Sequence, residues 1–403
     1  MGSKWCIYRL GDIAEFSYGK MPKKEFVGTG DYVIFSGYKY TESYPEKNTS
    51  AGELIVVARG VGGTGDVKIT TRDCYLTNLS IKINLDETKV RKEYFYYLFL
   101  QSNLRYLDSG SAQSQITIND LANVEISAPS LNVQDLIVKS LKAFDDKITT
   151  LSSMNQTLEQ MSQTLFKSWF VDFDPVIDNA LDAGNPIPEA LQTRAKLRQK
   201  VRNSADFKPL PAEIRSLFPS EFEETELGWV PKGWKEGTLP EIAFINSTSW
   251  TNKNQPDYIN YVDLSNAKDG RIYSIEKLSF NDAPSRARRI LKKDDLIFGL
   301  VRPANRSFAY VHVDGLTGST GFAVIRAQKT IYKNFIYYFV TYDKNIEELA
   351  RIADGGAYPA IKPDDICTLP LIIPSINIIE KFDELTSNFR EMMNNSLIQN
   401  EYL

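Results

Sequence analysis

Cysteine is scarce in this sequence and histidine scarcer. Cys6, Cys74 and Cys367 are spread through 403 residues. They form no CxxC pair for a zinc knuckle and no disulfide framework, which fits a reducing compartment. The single histidine, His312, would have to serve any Ser/His/Asp or Cys/His arrangement. No nucleophile signature flanks it, so it reads as a structural or nucleic-acid-contacting side chain. No apolar run reaches the roughly 18 residues of a membrane span. The opening MGSKWCIYRLGD lacks the apolar segment of a secretory signal. The expectation is a cytoplasmic protein with no membrane partner.

Net charge is also small, at −4, but it is unevenly distributed. Residues 1–130 are neutral and residues 229–375 carry +3, whereas 131–228 and 376–403 together carry −7. The acidity lies in the connecting parts, which leaves room for a basic face on each of the other two stretches.

Those two stretches repeat one another. Gly110–Pro129 (GSAQSQITINDLANVEISAP) aligns without a gap on Gly355–Pro374 (GGAYPAIKPDDICTLPLIIP), with Gly, Ala, Ile, Asp and Pro in register. Trp5, Leu10, Ile13 and Ala14 match Trp234, Leu239, Ile242 and Ala243. Glu53-Leu54-Ile55 matches Asp295-Leu296-Ile297, and Glu93–Leu98 matches Asn334–Phe339. So long a period is a duplicated domain, not a solenoid of units of about 20–50 residues.

Within each copy, Leu54–Ala58, Leu79–Ile83, Leu296–Val301 and Phe322–Ile325 read as short strands. Arg91–Leu107 and Tyr332–Ile352 have helical spacing. Each copy is therefore α/β, with α+β the alternative. After the first copy, apolar residues fall at Val133, Ile137, Leu141, Phe144, Ile148, Leu151, Leu158, Met161, Leu165 and Trp169, with Asn155 as one polar seat. This is a coiled-coil seam, with Asn132 placed to cap its start and Pro175 just past its end. Ile378, Phe382, Leu385, Phe389, Met392 and Leu397 repeat the pattern more briefly, with Asn377 at the capping place. The expected organisation is a globular domain at 1–130, a helix at 131–175, a connector at 176–228 with one short helix around Pro188–Val201, a second domain at 229–375 and a short distal helix at 376–403.

Catalytic motifs fail one by one. Gly60-Val61-Gly62-Gly63-Thr64-Gly65 satisfies GxGxxG, but the strand-like Asp66-Val67-Lys68-Ile69 follows where a dinucleotide site needs a helix. It reads as a hairpin turn. Asp73 with Glu87-Thr88-Lys89 mimics a metal-dependent nuclease, but the second copy has Ala327-Gln328-Lys329 there. Asp145-Asp146, Asp294-Asp295 and Asp364-Asp365 read as helix starts or solvated faces. No Asn/Asp-Pro-Pro-Tyr/Phe tetrapeptide of adenine methyltransferases occurs, although Asp174-Pro175 begins like one.

What remains is cationic and amide side chains among aromatics. In the first copy these are Lys20, Lys23, Lys24, Arg59, Lys68 and Arg72, with Gln113 and Gln115 in the repeated motif. In the second they are Trp250, Asn252, Lys253, Arg286, Arg288, Arg289, Arg302 and Arg306, with Tyr358 in the motif. Lys and Arg neutralise phosphates, and Arg, Asn and Gln read base edges. The plainer reading is a set of solvated loops.

The chain resembles the specificity subunits of Type I restriction–modification systems. The resemblance rests on the duplication with a heptad helix after each copy, on the paired Gly-x-Ala-x-x-x-Ile motifs ending in Pro129-Ser130 and Pro374-Ser375, on Leu165-Phe166-Lys167-Ser168-Trp169-Phe170-Val171-Asp172-Phe173, and on Glu226-Leu227-Gly228-Trp229-Val230-Pro231-Lys232-Gly233-Trp234. It covers nearly the whole chain. It implies two target recognition domains reading the halves of a split double-stranded DNA site, joined by two long antiparallel coiled-coil helices. The distal helix is short for that plan. It further implies a non-catalytic subunit that docks two methyltransferase subunits and, for restriction, restriction subunits. S-adenosylmethionine, ATP and Mg²⁺ would belong to those partners, with no cofactor in this chain. A coiled-coil scaffold without DNA readout and a metal-dependent nuclease are the alternatives.

Overall fold

The computed structural model describes residues 5–60, 63–108, 114–353 and 359–402. The chain divides into two compact units, 1–149 and 150–403.

In the first unit the run Leu54–Val57 is buried along its whole length. It lies inside a four-stranded antiparallel sheet ordered Ala14–Tyr18, Ser80–Leu85, Leu54–Val57, Val67–Ile69. Its side chains alternate between two cores. Leu54 and Val56 pack with Tyr94, Phe95 and Phe99 of the helix Lys92–Leu100. Ile55 packs with Phe35, Cys74 and Leu76 of a second sheet. That sheet is ordered Lys39–Tyr44, Tyr32–Ser36, Cys74–Leu76, and its last two strands run parallel. Cys6–Arg9 pairs with Glu125–Ala128 beside them.

The second unit repeats this plan. Ala243–Ile245, Phe322–Ala327, Leu296–Gly299 and Phe308–Tyr310 form an antiparallel sheet in the same order. The second sheet gains a strand and runs Glu276–Ser279, Tyr258–Val262, Leu316–Ser319, Ala287–Ile290, again with one parallel pair, here in the middle. Lys235–Gly237 pairs with Leu371–Ile373 as Cys6–Arg9 does with Glu125–Ala128. Pairing is mostly antiparallel and the helices stand apart from the strands, so each unit is α+β.

The central helix spans Leu131–Phe166 and widens into a π-helical turn at Lys167–Val171. It starts one residue before Asn132, and the Ser130 carbonyl accepts the amides of Val133 and Gln134. Asn132 therefore lies in the first turn and is not the cap. Asn377 likewise lies inside the distal helix Ile376–Tyr402, which starts after Ser375. In the second unit the distal helix packs antiparallel to the end of the central helix. Asn155 Nδ2 donates to the Met393 carbonyl, while the Phe166 ring lies 6.1 Å from that of Phe382, so one number rises as the other falls. Phe166, Trp169 and Phe170 join Phe335, Tyr338 and Phe382 in one aromatic core.

The seam departs from the apolar spacing. Ser162 and Phe166 are buried where Met161 and Leu165 were expected, and on the distal helix Thr386, Arg390, Met393 and Ser396 replace Phe389, Met392 and Leu397. The cause is a polar stripe. Ser162, Thr386 and Ser396 each return a hydroxyl hydrogen to a carbonyl four residues back, so burial leaves no hydroxyl donor unmade.

The connector is more ordered than its prolines suggest. Phe173 turns the chain at φ 55° and Pro175 sits in the first turn of a new helix, Asp174–Ala183. Asp174, Asp178 and Asp182 then meet Arg194, Arg198 and Arg202 of the helix Gln192–Arg202, a ladder with each pair twenty residues apart.

Candidate nucleic-acid interface

The repeated motif occupies the same joint in both units. The Ile116 amide donates to the Ala58 carbonyl at 2.9 Å, where the core strand ends. The Ile361 amide donates to the Leu300 carbonyl at the same distance in the second unit. Both isoleucines are buried. Arg59 and Gln115, distant in sequence, become neighbours in a backbone bridge at this joint, as Val301 and Ala360 do in the other copy. Gln113 and Tyr358 lie outside the described residues.

In the first unit the Lys20–Lys24 loop leaves a strand end that only glycine allows. A Cβ at Gly19 would lie 2.3 Å from the Thr77 carbonyl oxygen. The Lys20 amide anchors to the Leu76 carbonyl at 2.9 Å, and the three lysine side chains stay exposed. Lys23 lies 5.7 Å over the Phe26 ring. Met21 and Pro22 of this loop line a groove of about 660 Å³ with Lys39, Tyr40 and Asn78, and the Arg72 guanidinium stacks 5.1 Å over the Tyr40 ring. Sequence reading passed over Lys39 and Tyr40. The alternation Tyr38-Lys39-Tyr40 was their available signal. Lys68 stands apart on its strand, 4.0 Å from Asp66. Arg59 is half-buried, and its Nε has no partner among the described residues.

In the second unit the segment before Trp250 lies against the strand Ala287–Ile290. The Ile290 amide donates to the Thr248 carbonyl and the Trp250 amide to the Arg288 carbonyl. This brings Trp250, Asn252 and Lys253 together with Arg286, Arg288 and Arg289. The Trp250 indole is an anchor rather than an open platform: its Nε1 donates to Thr317 Oγ1 at 2.9 Å, and its ring packs on Tyr261, Phe280 and Ala287. Asn252 and Lys253 project from the loop it holds. Arg288 stacks 4.7 Å over Phe280. Arg289 donates to Ser249 Oγ at 3.2 Å, and burial lowers its pKa. Arg286 is held by Asp263, at 3.0 and 2.7 Å, and by the Tyr261 hydroxyl. Burial by itself would raise the Asp263 carboxyl, but Arg286, Tyr261 and Ser265 outweigh it and hold it at about 2.

Arg302 and Arg306 are not part of that cluster. Both adopt left-handed backbone, φ 47° and 56°. Arg302 is exposed at the motif joint, its amide bonded to the Pro359 carbonyl. Arg306 is engaged by Asp269 and Asp343. The carboxylate pairs also need correction at one place. Asp295 is fully buried and takes Arg326 at 2.7 Å, while Asp294 accepts the Tyr310 hydroxyl. Asp364-Asp365 does open a helix, Pro363–Cys367.

The catalytic look-alikes are engaged in structural contacts. Gly63, Thr64 and Gly65 lie in a turn before Val67–Ile69, the strand antiparallel to Leu54–Val57, while Val61 and Gly62 lie outside the described residues. Asp73 is occupied by Lys47 and the Ala51 amide. Among the described residues no three His, Cys, Asp or Glu side chains are grouped to hold a metal. Burial, with Arg390 adding to it, pushes His312 down to about 4, so the ring is neutral at pH 7. No described helix is long and apolar enough to cross a membrane.

Residues 2–160 match the family model described as the Type I restriction modification DNA specificity domain. The chain is similar to specificity subunits of Type I restriction–modification systems. It is 27% identical over 280 residues to the specificity subunit of the Type I restriction enzyme HindI from Haemophilus influenzae, covering 60% of this chain and 61% of that relative. The match thus spans less than two thirds of the Haemophilus protein. Over 416 residues it is 24% identical to the MjaIX specificity subunit of Methanocaldococcus jannaschii, covering 97% of this chain and 88% of that one. The crystal structure of a Type I restriction–modification S subunit from M. genitalium shares the fold, with a TM-score of 0.61 at 17% identity over 99% of this chain and 93% of that one.

Proposed function

We propose that this chain is a specificity subunit that reads double-stranded DNA without catalysing a reaction, one half of a bipartite site being read by each unit. The observation carrying this reading is that the two units share sheet order and motif joint, while the loops that bear their cations differ. Two readers of different half-sites need that combination: one framework, two sets of contacts. The central helix begins in the first unit and ends in the second, which suits a spacer joining the two readers. Linking them makes the second contact nearly intramolecular. Each base pair read adds about 1–3 kcal/mol of discrimination.

In this reading the helices dock two methyltransferase subunits in the cytoplasm, and restriction subunits join for cleavage. S-adenosylmethionine, ATP and Mg²⁺ serve those partners. The test is methylome sequencing of cells carrying the complete system, with the native chain and with Arg286, Arg288 and Arg289 reversed to Glu. The native chain gives a split methylated motif, and the variant loses or relaxes one half of it. An unchanged motif would leave a scaffold without DNA readout.

A further inference from the structure

The polar stripe inside the helix pair ends in a pocket. Arg390 of the distal helix is 7% exposed. Its guanidinium stacks on three tyrosine rings, 3.9 Å from Tyr310, 4.3 Å from Tyr337 and 5.6 Å from Tyr338. Nε donates to Asn334 Oδ1 at 2.9 Å. Among the described residues its Nη2 has no partner, and no carboxylate lies within 4.0 Å of the guanidinium. A buried guanidinium without a paired anion is costly, and stacking on aromatic faces offsets only part of that cost.

Arg390 lines a cavity of about 460 Å³ with Asn155, Glu159, Arg271, Arg306 and Tyr273. The other charges there are differently placed. Arg306 is matched by Asp269 and Asp343, and Glu159 accepts the Tyr338 hydroxyl at 3.3 Å. Arg271 makes no ion pair among the described residues. Asn155 is 1% exposed, and its amide orientation is fixed because Nδ2 must face the Met393 carbonyl. Its Oδ1 is left as an acceptor without a partner among the described residues, on the same wall. A group that suits this wall brings oxygen acceptors to Arg390 and Arg271 and a hydrogen-bond donor to Asn155.

We propose that this pocket binds a small oxyanion, a phosphate or carboxylate, that also carries a hydroxyl donor. The site is separate from the loop clusters assigned to DNA and does not depend on that assignment. Hydrogen phosphate has such a donor and sulfate has none. Malate has one and succinate has none.

Calorimetric titration of the full chain at pH 7 and matched ionic strength tests the proposal, with these four anions as probes. Phosphate is expected to bind about fivefold more tightly than sulfate, or malate than succinate, the factor that one net hydrogen bond supplies. Whichever pair shows the preference identifies the ligand as phosphate or carboxylate. Arg271→Gln, at a half-buried position that leaves the tyrosine stack intact, weakens both anions of that pair at least fivefold. Asn155→Leu abolishes the preference and keeps binding. Lys293 lines the groove on the other side of Arg390, so Lys293→Gln leaves affinity unchanged. No heat beyond that of chloride, equal affinity for both members of each pair, or a loss confined to Lys293→Gln overturns the proposal.

Discussion

The two units are the same framework carrying side chains in different states. In the first, Lys20, Lys23 and Lys24 extend from an exposed loop with an anchored backbone, and of the three only Lys23 lies over a ring, that of Phe26. In the second, each arginine of the 286–289 run is held: Arg286 by Asp263, Arg288 over Phe280 and Arg289 by Ser249. A free lysine is a mobile point charge suited to phosphates, whereas a held guanidinium presents a fixed fork suited to base edges. The same contrast appears in the core. Glu53 and Asp295 occupy the same place before the central strand and each pairs with a cation, Lys82 or Arg326. Glu53 is 31% exposed and Asp295 is fully buried.

That last contrast predicts the largest effect. Asp295→Ala strands a buried guanidinium and should cost about 3–5 kcal/mol. Glu53→Ala breaks a solvated pair and should cost under about 1 kcal/mol. Denaturant unfolding of each variant decides, and equal losses would end the claim that the second pair is the structural one. Next come the residues proposed to read DNA. Arg288→Ala or Arg289→Ala should change which base pair is preferred in one half-site by about 1–3 kcal/mol, measured with a randomised duplex pool. Replacing Lys20, Lys23 and Lys24 by Ala should weaken binding to all sequences alike. The dependence of log affinity on log salt should then flatten by about 2.7, or 0.9 per lost phosphate contact. A sequence-selective loss from the lysines would invert the comparison.

The smallest effect is with pH. The Asp263 carboxyl is held at about 2, below its usual 3.8. Its contribution is complete above pH 3.8 and is lost as pH falls towards 2. Asp263→Asn should therefore flatten the acid limb of the stability curve, while its value at pH 7 falls by the lost Arg286 pair. An acid limb unchanged in the variant would show that Arg286 is not held by that charge.

Much of the framework was legible in the sequence because it is written in apolar periodicity. Leu54–Val57, Leu296–Gly299 and both long helices were anticipated to within a few residues. The misreadings have a common source. Ser162, Thr386, Arg390 and Ser396 are buried polar residues, so a search for apolar spacing moved the seam onto exposed Met161 and Met392. Asp295 was taken for a surface residue for the same reason. At the candidate interface, residue types were readable and their neighbourhoods were not. Trp250 was identified as an aromatic among cations, but its indole faces inward to Thr317. Arg306 was grouped with the reading arginines and proved to be clamped by two carboxylates.

The sequence by itself determined the duplication, the position of the joint and the absence of a catalytic signature, since these depend on residue identity and order along the chain. Only the tertiary structure decided which cations are exposed and which are held, and that Arg390 is buried beside an Asn155 oxygen without a partner among the described residues. Those facts depend on partners far away in sequence, such as Asp263 for Arg286 and Asn334 for Arg390. The cost of burying a polar group is set by the partner that folding brings to it, not by its own position in the chain.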